Sequence, residues 1–148
     1  MTPITQTQKR TGASVNVYLI LRKDNDVLLL LRKNTGYCDG MYGLVAGHVE
    51  DGESALQALV REAQEEAGIE IDIQDVRFVH VMHRQSNRFN IDLFFECCSW
   101  EGTPVNQEPE KCAGLEFFPK DKLPSNIITH IEAVLNAHQL YSEQGWSS

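Results

Sequence analysis

Runs of apolar residues at two spacings divide the chain into strands and helices. SVNVYLILRK and DVLLLLRK are rich in Val, Leu and Ile and flank the polar tripeptide DND at residues 24–26. This pattern predicts a β-hairpin, because branched apolar residues suit a buried strand and a short polar segment suits a turn. NTG at residues 34–36 breaks the pattern. A short strand near residues 42–46 then leads into the loop GHVEDGE.

An amphipathic helix is predicted after this loop. Its apolar residues recur every three or four positions and form one face. They are Leu56, Leu59, Val60, Ala63 and Ala67. We expect Asp51 to cap the start of the helix and Glu53 to lie in its first turn. Gly68 is expected to end the helix in a left-handed conformation.

Three strand-like segments and a last helix follow. VRFVHVMHR, RFNIDLFFECCSW and LEFF predict strands, and helical spacing predicts a helix over about residues 126–140. The order β-β-β-α-β-β-β-α predicts an α+β domain in which helices pack on a mixed sheet. We place this domain at residues 13–142 and expect the polar residues 1–12 to be flexible.

Length and charge limit the function. A chain of 148 residues suits one domain with a real core. The sequence has neither a membrane-length apolar stretch nor the apolar region of a signal peptide, so we expect no membrane partner and a cytoplasmic location. A net charge of −8 argues against a nucleic-acid polymer as partner. A small phosphorylated substrate stays compatible, because a bound metal can supply positive charge.

The cysteines do not carry an obvious site. They are Cys38, Cys97, Cys98 and Cys112. No CxxC pair is present, so reduced thiols are favoured over the alternative of a zinc site that also uses His80 or His83.

Three glutamates crowd one turn of the first helix. Glu62, Glu65 and Glu66 lie at positions i, i+3 and i+4, where like charges cost about 0.2–0.5 kcal/mol per pair. They also precede Gly68, at the helix end where the dipole favours cations. A divalent cation such as Mg²⁺ or Mn²⁺ would reverse both effects. The alternative is a solvated acidic face.

The surrounding residues favour the metal. From residue 47 to residue 69 the chain resembles the Nudix box, GX5EX7REUXEEXGU, at every fixed position. These positions are Gly47, Glu53, Arg61, Glu62, Glu65, Glu66 and Gly68. Seven such matches arise by chance about once in 10⁸ starting points. The resemblance implies the Nudix fold, an α/β/α sandwich with a mixed sheet and a loop-helix-loop motif.

The resemblance also implies roles for these residues. It assigns Mg²⁺, with Mn²⁺ as a possible substitute, to four groups. They are the carboxylates of Glu62, Glu65 and Glu66 and the carbonyl of Gly47. Arg61 and Glu53 are expected to orient the cluster through charge-assisted hydrogen bonds.

The implied reaction is attack of water on phosphorus. Its general base is expected to be a box glutamate, such as Glu65 or Glu66, or an acid from a distant loop. MutT-like enzymes supply such an acid just before a late strand. Glu110 is the best match by position and Glu108 the second, and the alternative for each is a solvated loop acid.

Further residues are candidates for binding substrate. By resemblance to MutT-like enzymes, Arg32 is expected to contact phosphate and Asn126 to read a purine edge, unless they are a strand-end cation and a helix N-cap. His80 and Arg84 face one side of their strand and His83 the other. One side of this strand is expected to line the substrate cleft, and the alternative is that it lies at the free surface. Of these residues, His83 is the candidate for binding substrate.

The resemblance implies a pyrophosphohydrolase acting on a nucleoside triphosphate or another nucleoside diphosphate derivative. A MutT-like nucleotide-pool role is favoured because of Arg32 and Asn126. The alternatives are a dinucleotide, nucleotide-sugar or nucleotide-alcohol pyrophosphatase, and a non-catalytic nucleotide-binding Nudix module. No EF-hand pattern is present. The expected partner is a small nucleotide, and the chain is expected to be a monomer or a homodimer.

Overall fold

A computed structural model of the chain describes residues 10–147. Most of the segment predicted to be flexible, residues 1–12, lies outside this range. The β-strands are β1 (Ser14–Lys23), β2 (Asp26–Arg32), β3 (Tyr42–Gly43), β4 (Val45–His48), β5 (Val76–Gln85), β6 (Phe89–Cys97), β7 (Cys112–Pro119) and β8 (Tyr141–Gln144). The helices are α1 (Ala55–Ala67), a 3₁₀ turn (Ile73–Asp75) and α2 (Thr129–Leu135).

The mixed sheet is confirmed, and β1 is its central strand. β1 pairs antiparallel with β4 and parallel with β6, which pairs in turn with β5. The predicted hairpin of β1 and β2 is paired next to its turn, where Arg22 faces Val27. β2 pairs with β7 along its whole length. Beyond the turn it leaves β1 and pairs with β3 on that side. β1 thus has room to pair with β4, which leads into α1.

Apolar residues fill both faces of the sheet, as period-two alternation requires. Val17, Leu19 and Leu21 of β1 pack with the buried face of α1. The alternate residues Tyr18 and Ile20 pack with α2 on the opposite face. The sheet therefore lies between two helices, which confirms the predicted α/β/α sandwich.

The end of α1 is confirmed and its start is corrected. Gly68 ends the helix with φ 66°, in the left-handed conformation that glycine adopts at little cost. Ser54, and not Asp51, is the N-cap: its hydroxyl accepts from the Gln57 backbone N–H at 3.1 Å. The Gln57 side chain accepts in return from the Ser54 N–H, which completes a capping box. Glu53 precedes the helix and does not lie in its first turn.

The last helix is shorter than predicted. The chain at Ile127 and Ile128 pairs with Tyr42 instead of starting a helix, so α2 begins only at Thr129. Asn126 is therefore not its N-cap. The chain leaves the helix after Leu135 and forms β8, a strand that the sequence did not predict. β8 is parallel to β5 at the edge of the sheet.

Two expected absences concern the described residues. No helix among residues 10–147 is long and apolar enough to cross a membrane. The four cysteines are free thiols. Within the same range they form no metal-binding group with His80 or His83.

Candidate active site

A cavity of about 720 Å³ opens beside the end of α1 and the strands β1, β4 and β5. One part of its wall is acidic and contains the box glutamates. The other walls carry arginines, asparagines and an aromatic ring. Its acidic residues are Glu62, Glu65, Glu66 and Glu108. The cavity thus brings together Glu62 and Glu108, which lie 46 positions apart in the sequence.

Gly47 allows α1 to approach β4 closely. The backbone of Gly47 lies against the Glu62 carboxylate, so a Cβ at residue 47 would collide with that side chain. A glycine is required here because of this close approach, and its φ is not in the left-handed region. The predicted metal-binding carbonyl and carboxylate are therefore adjacent.

Arg61 holds the acidic residues of the box together. Its Nε and Nη2 donate to the two oxygens of Glu53 at 2.7 and 3.0 Å, a bidentate ion pair. Nη1 donates to Glu62 at 2.6 Å and to Glu65 at 3.2 Å. Nη2 also reaches the His48 carbonyl at 3.0 Å. Arg61 and Glu53 therefore have the orienting geometry that the sequence predicted.

Glu66 is the most deeply placed of the box carboxylates. Burial raises its pKa well above the usual value, and the nearby Glu62 and Glu108 raise it further. Its Oε2 accepts a hydrogen bond from the Ala46 N–H at 3.0 Å. A desolvated carboxylate among other carboxylates is costly unless a cation compensates it. The donor set therefore fits a hard divalent cation, which prefers oxygen ligands.

The carboxylates are not arranged as a finished ligand set. Among residues 10–147, no three histidine, cysteine, aspartate or glutamate side chains are positioned to hold an ion. The physical reason is that Nη1 of Arg61 lies between Glu62 and Glu65 and binds both. The Glu65 side chain is 54% exposed, so it has room to rotate away from Arg61 towards a cation.

Glu108 lies in the cavity and Glu110 does not. Glu108 is half-buried and lines the wall near Glu62 and Glu66, whereas Glu110 is exposed. The loop turns back on itself here, since the Lys111 and Cys112 N–H groups both donate to the Glu108 carbonyl. The preference for Glu110 over Glu108 is therefore corrected: the acid before β7 that faces the box glutamates is Glu108.

Arg32 lines the cavity but much of its guanidinium is already bound. Nε donates to the Tyr37 carbonyl at 2.8 Å and Nη2 to the Thr35 hydroxyl at 3.1 Å. Its guanidinium carbon also lies 5.5 Å from the centroid of the Tyr37 ring. Arg32 therefore shapes the loop between β2 and β3, and its predicted phosphate contact would use the remaining nitrogen.

Two predicted substrate residues lie outside the cavity. The Asn126 side chain donates to the Gly40 carbonyl at 3.0 Å and fastens the loop that ends there. The His83 ring lies 4.7 Å from that of Trp146 and 6.3 Å from that of Phe89. Neither residue lines the cavity. The structure does not bring Asn126 or His83 to the glutamates, and the base-reading prediction for Asn126 has no support from its position.

Sequence reasoning placed Arg84 on a side of β5 that could line the cleft, but it missed Asn16 and Asp92, which complete the polar floor of the cavity. Asn16 donates to Asp92 at 2.8 Å, and Arg84 donates to the same carboxylate at 2.6 and 3.2 Å. His48 Nδ1 lies 2.6 Å from the Asn16 side-chain oxygen. A signal was available, because Asp92 alternates with apolar residues in FNIDLFF. A charge at an inward-facing strand position needs a partner.

Comparison with known proteins agrees with this geometry. The model of the NUDIX domain matches residues 10–138. The NAD-capped RNA hydrolase NudC of Stutzerimonas stutzeri is 40% identical over 109 residues, 74% of this chain and 37% of that protein. The ADP-ribose pyrophosphatase of Methanocaldococcus jannaschii is 46% identical over 50 residues, 34% of this chain and 29% of that protein. The chain thus matches about a third of the length of these curated relatives.

Solved structures share the fold. A MutT NUDIX hydrolase from Burkholderia pseudomallei superposes with a TM-score of 0.79 at 23% identity, covering 86% of this chain and 99% of that one. The ORF135 protein of E. coli superposes with a TM-score of 0.73 at 25% identity, covering 86% and 89%. The box, the sandwich and the family model, which spans most of the sequence, agree, and the chain belongs to the Nudix family.

Proposed function

We propose that this protein hydrolyses a pyrophosphate linkage in a nucleoside triphosphate or another nucleoside diphosphate derivative, with Mg²⁺ as cofactor. One observation carries the proposal: the three box glutamates and Glu108 line the same cavity. Carboxylates clustered at this density, with Glu66 desolvated among them, favour a bound cation, and a cation in an open cavity suits a phosphorylated ligand. The names of two curated relatives, an NAD-capped RNA hydrolase and an ADP-ribose pyrophosphatase, support the same chemistry.

Four groups would hold the cation. They are the carboxylates of Glu62, Glu65 and Glu66 and the carbonyl of Gly47. When bound, Mg²⁺ would neutralise charge on the bridging phosphates and orient the substrate. To bind it, Glu62 and Glu65 would give up Nη1 of Arg61, while the bidentate pair with Glu53 keeps Arg61 in place. Mn²⁺ is expected to substitute, because it accepts similar ligands.

We assign the general base to Glu108. It lines the same cavity as the box glutamates and, among the described residues, its side chain accepts no hydrogen bond. A free carboxylate oxygen can take a proton from the attacking water. Glu66 is less suited, because one of its oxygens is held by the Ala46 N–H.

A second substrate class is favoured by a separate observation. NudC of Stutzerimonas stutzeri, a relative at 40% identity, is named as an NAD-capped RNA hydrolase. A dinucleotide such as NAD, alone or at the end of an RNA, is therefore the alternative to a MutT-like nucleotide. The net charge of −8 favours a small nucleotide over a long RNA. A cytoplasmic location stays part of this proposal.

A substrate panel tests the proposal. Phosphate, pyrophosphate and nucleoside monophosphate release are measured with Mg²⁺ or Mn²⁺ for nucleoside triphosphates, ADP-ribose, NAD, NAD-capped RNA and CDP-alcohols. We expect hydrolysis of at least one, abolished by a chelator. Glu66→Gln should lower turnover by orders of magnitude with the fold intact, while Glu70→Gln, an exposed glutamate beyond α1, should not. Absence of metal-dependent hydrolysis across the panel would contradict the proposal.

A further inference from the structure

A buried ion pair forms part of the cavity floor. Asp92 of β6 is fully buried, and Arg84 of β5 is only 8% exposed. Two nitrogens of Arg84 donate to the Asp92 carboxylate, Nε to Oδ2 at 2.6 Å and Nη2 to Oδ1 at 3.2 Å. Nη2 also lies 3.4 Å from the Tyr18 hydroxyl. The orientation of the guanidinium is therefore fixed by its surroundings.

The third nitrogen of Arg84 is unused. Among residues 10–147, Nη1 has no hydrogen-bond partner, although Arg84 lines the cavity. It is not sealed in the protein either. The fully buried polar side-chain atoms without a partner in that range belong to Arg22 and Gln85. Nη1 thus offers its N–H donors to the cavity from a rigid position.

Stability does not account for this pair. Removing two charges from water costs about as much as their attraction returns, so apolar residues of similar size often stabilise a core equally well. A fixed donor at the wall of a cavity is better explained by a ligand that accepts a hydrogen bond.

The charge of the pair indicates which acceptor it suits. Asp92 neutralises Arg84 directly, so Nη1 presents a hydrogen-bond donor without a net positive charge. A phosphate would be better bound by an unpaired cation, such as the exposed Arg88 on the same wall. A neutral carbonyl oxygen is a better match for Nη1.

An aromatic ring stands in the same cavity. Tyr37 is 48% exposed and lines the wall formed by the loop between β2 and β3. Arg32 lies over its ring. Burial raises the pKa of Tyr37 and Arg84 opposes the effect, so the two residues are within electrostatic range. An exposed ring near a donor suits a flat heterocycle that stacks and accepts a hydrogen bond.

The spacing also fits a nucleotide. The cation-binding end of the cavity is at β4, and β1 and β6 lie between β4 and β5. Three strand spacings amount to roughly 14 Å. This is comparable to the extended length of a nucleoside diphosphate, so phosphates at the glutamates would leave the base near Arg84 and Tyr37.

We propose that Arg84 is a specificity-determining residue whose Nη1 donates to an exocyclic carbonyl oxygen of the substrate's base. This inference rests on the proposed function and narrows its substrate class. Nucleotides that carry a carbonyl group, such as those of hypoxanthine and uracil, are preferred over those that carry an amino group there, such as those of adenine and cytosine. An amino group places its N–H donors against the N–H donors of Nη1, so neither the amino group nor Nη1 forms a hydrogen bond there.

Matched pairs of substrates test the proposal. ITP and ATP differ at the exocyclic group of the purine, and UTP and CTP at that of the pyrimidine. We expect kcat/KM with Mg²⁺ to favour ITP and UTP by roughly 10- to 100-fold, the range of the penalty for leaving a desolvated donor unpaired. In Arg84→Met/Asp92→Asn, which removes the ion pair but keeps an acceptor for Asn16, both ratios should fall towards one. Arg84→Lys, which keeps the charge beside Asp92, should give the same loss if the double variant does not fold.

Arg88→Met is the matched control. Arg88 lines the cavity without a carboxylate partner, so its loss should change both members of a pair equally and leave the ratios intact. Dissociation constants for ITP and ATP, measured by calorimetry, give an independent readout. If nothing is hydrolysed but ITP still binds more tightly through Arg84, the proposed function fails and this inference stands. Equal ratios in wild type and variants, or a preference for amino bases, would overturn the inference alone.

Discussion

Glu62, Glu65 and Glu66 repel one another at the end of α1 where the helix dipole is also unfavourable. In the structure Arg61 offsets part of this repulsion by binding Glu62 and Glu65. Among residues 10–147 Glu66 has no such partner, and its carboxylate accepts a hydrogen bond from the Ala46 N–H. The glutamates that predict a metal site from the sequence therefore include one, Glu66, whose negative charge is not paired with Arg61 in the fold.

Two matched variants test whether Glu108 or Glu110 is the general base. Glu108→Gln removes the proposed base from the cavity and should lower kcat by about 10²- to 10⁴-fold, the usual contribution of general-base catalysis. Glu110→Gln alters an exposed side chain and should leave kcat near that of the wild type. Steady-state rates with a substrate from the panel provide the measurement. The opposite ranking of the two variants would restore Glu110 as the base.

Gly47 gives a second prediction for single residues. In Gly47→Ala the new Cβ meets the Glu62 carboxylate, so the Glu62 side chain must leave its position beside residue 47. A displacement of this kind costs roughly 10²-fold in turnover, and weaker Mg²⁺ binding should accompany it. Gly114→Ala is the control, because nothing lies within 4 Å of a Cβ at that position. Magnesium titrations of activity that are indistinguishable for Gly47→Ala and wild type would contradict this role.

At the scale of elements, local sequence signals predicted interiors better than ends. The apolar face of α1 and its stop at Gly68 follow from spacing and backbone conformation within the segment. Its start was misjudged because both Asp51 and Ser54 are good N-caps. The late start of α2 depends on the pairing of Ile127 with β3, and the strand β8 depends on pairing with β5. Both partners are distant in sequence.

The N-cap of α1 can be tested through stability. Ser54→Ala removes the hydroxyl that accepts from Gln57 and should lower the free energy of unfolding by about 1 kcal/mol. Asp51→Ala is the matched control, because Asp51 is exposed and outside the helix, and its effect should stay within about 0.5 kcal/mol. Urea unfolding of both variants measures the difference. A larger loss for Asp51→Ala would show that the cap is misassigned.

For the whole molecule, a polar network joins the cavity floor to the core under α2. His130 of α2 is buried, and its Nε2 lies 3.5 Å from the Tyr18 hydroxyl. Burial and, to a smaller extent, the charge of Arg84 lower the pKa of His130 to about 4, against the opposite effect of Asp92. The fold therefore holds this histidine neutral.

Protonation of His130 should make the fold sensitive to acid. The unfolded chain binds this proton with a pKa of 6.5 and the folded chain with a pKa of about 4. Between these values the unfolded state holds more protons, so stability is complete above pH 6.5 and falls by about 3 kcal/mol as the pH drops to 4. His130→Gln should flatten this slope, and the exposed His138 offers His138→Gln as control. Denaturant unfolding from pH 4 to 7 measures it, and an unchanged slope in His130→Gln would refute the assignment.

The sequence by itself determined the box, the helix that carries it and the order of strands and helices, because these depend on short-range spacing and on period-two and helical alternation. The α/β/α sandwich followed from the resemblance of the box to that of the Nudix family. The resemblance gave Arg61 and Glu53 a role in orienting the cluster. The structure adds that these two residues, which lie eight positions apart on α1 and its entry loop, bind each other.

Only the tertiary structure decided which distant residues join the glutamates. It brought Glu108 and Arg84 to the cavity and left Asn126 and His83 outside it. These outcomes depend on how the loop before β7 turns and on the pairing of β5, β6 and β1 in the sheet. Spacing along the chain indicates which side of a strand a residue occupies, but not which distant residues that side meets.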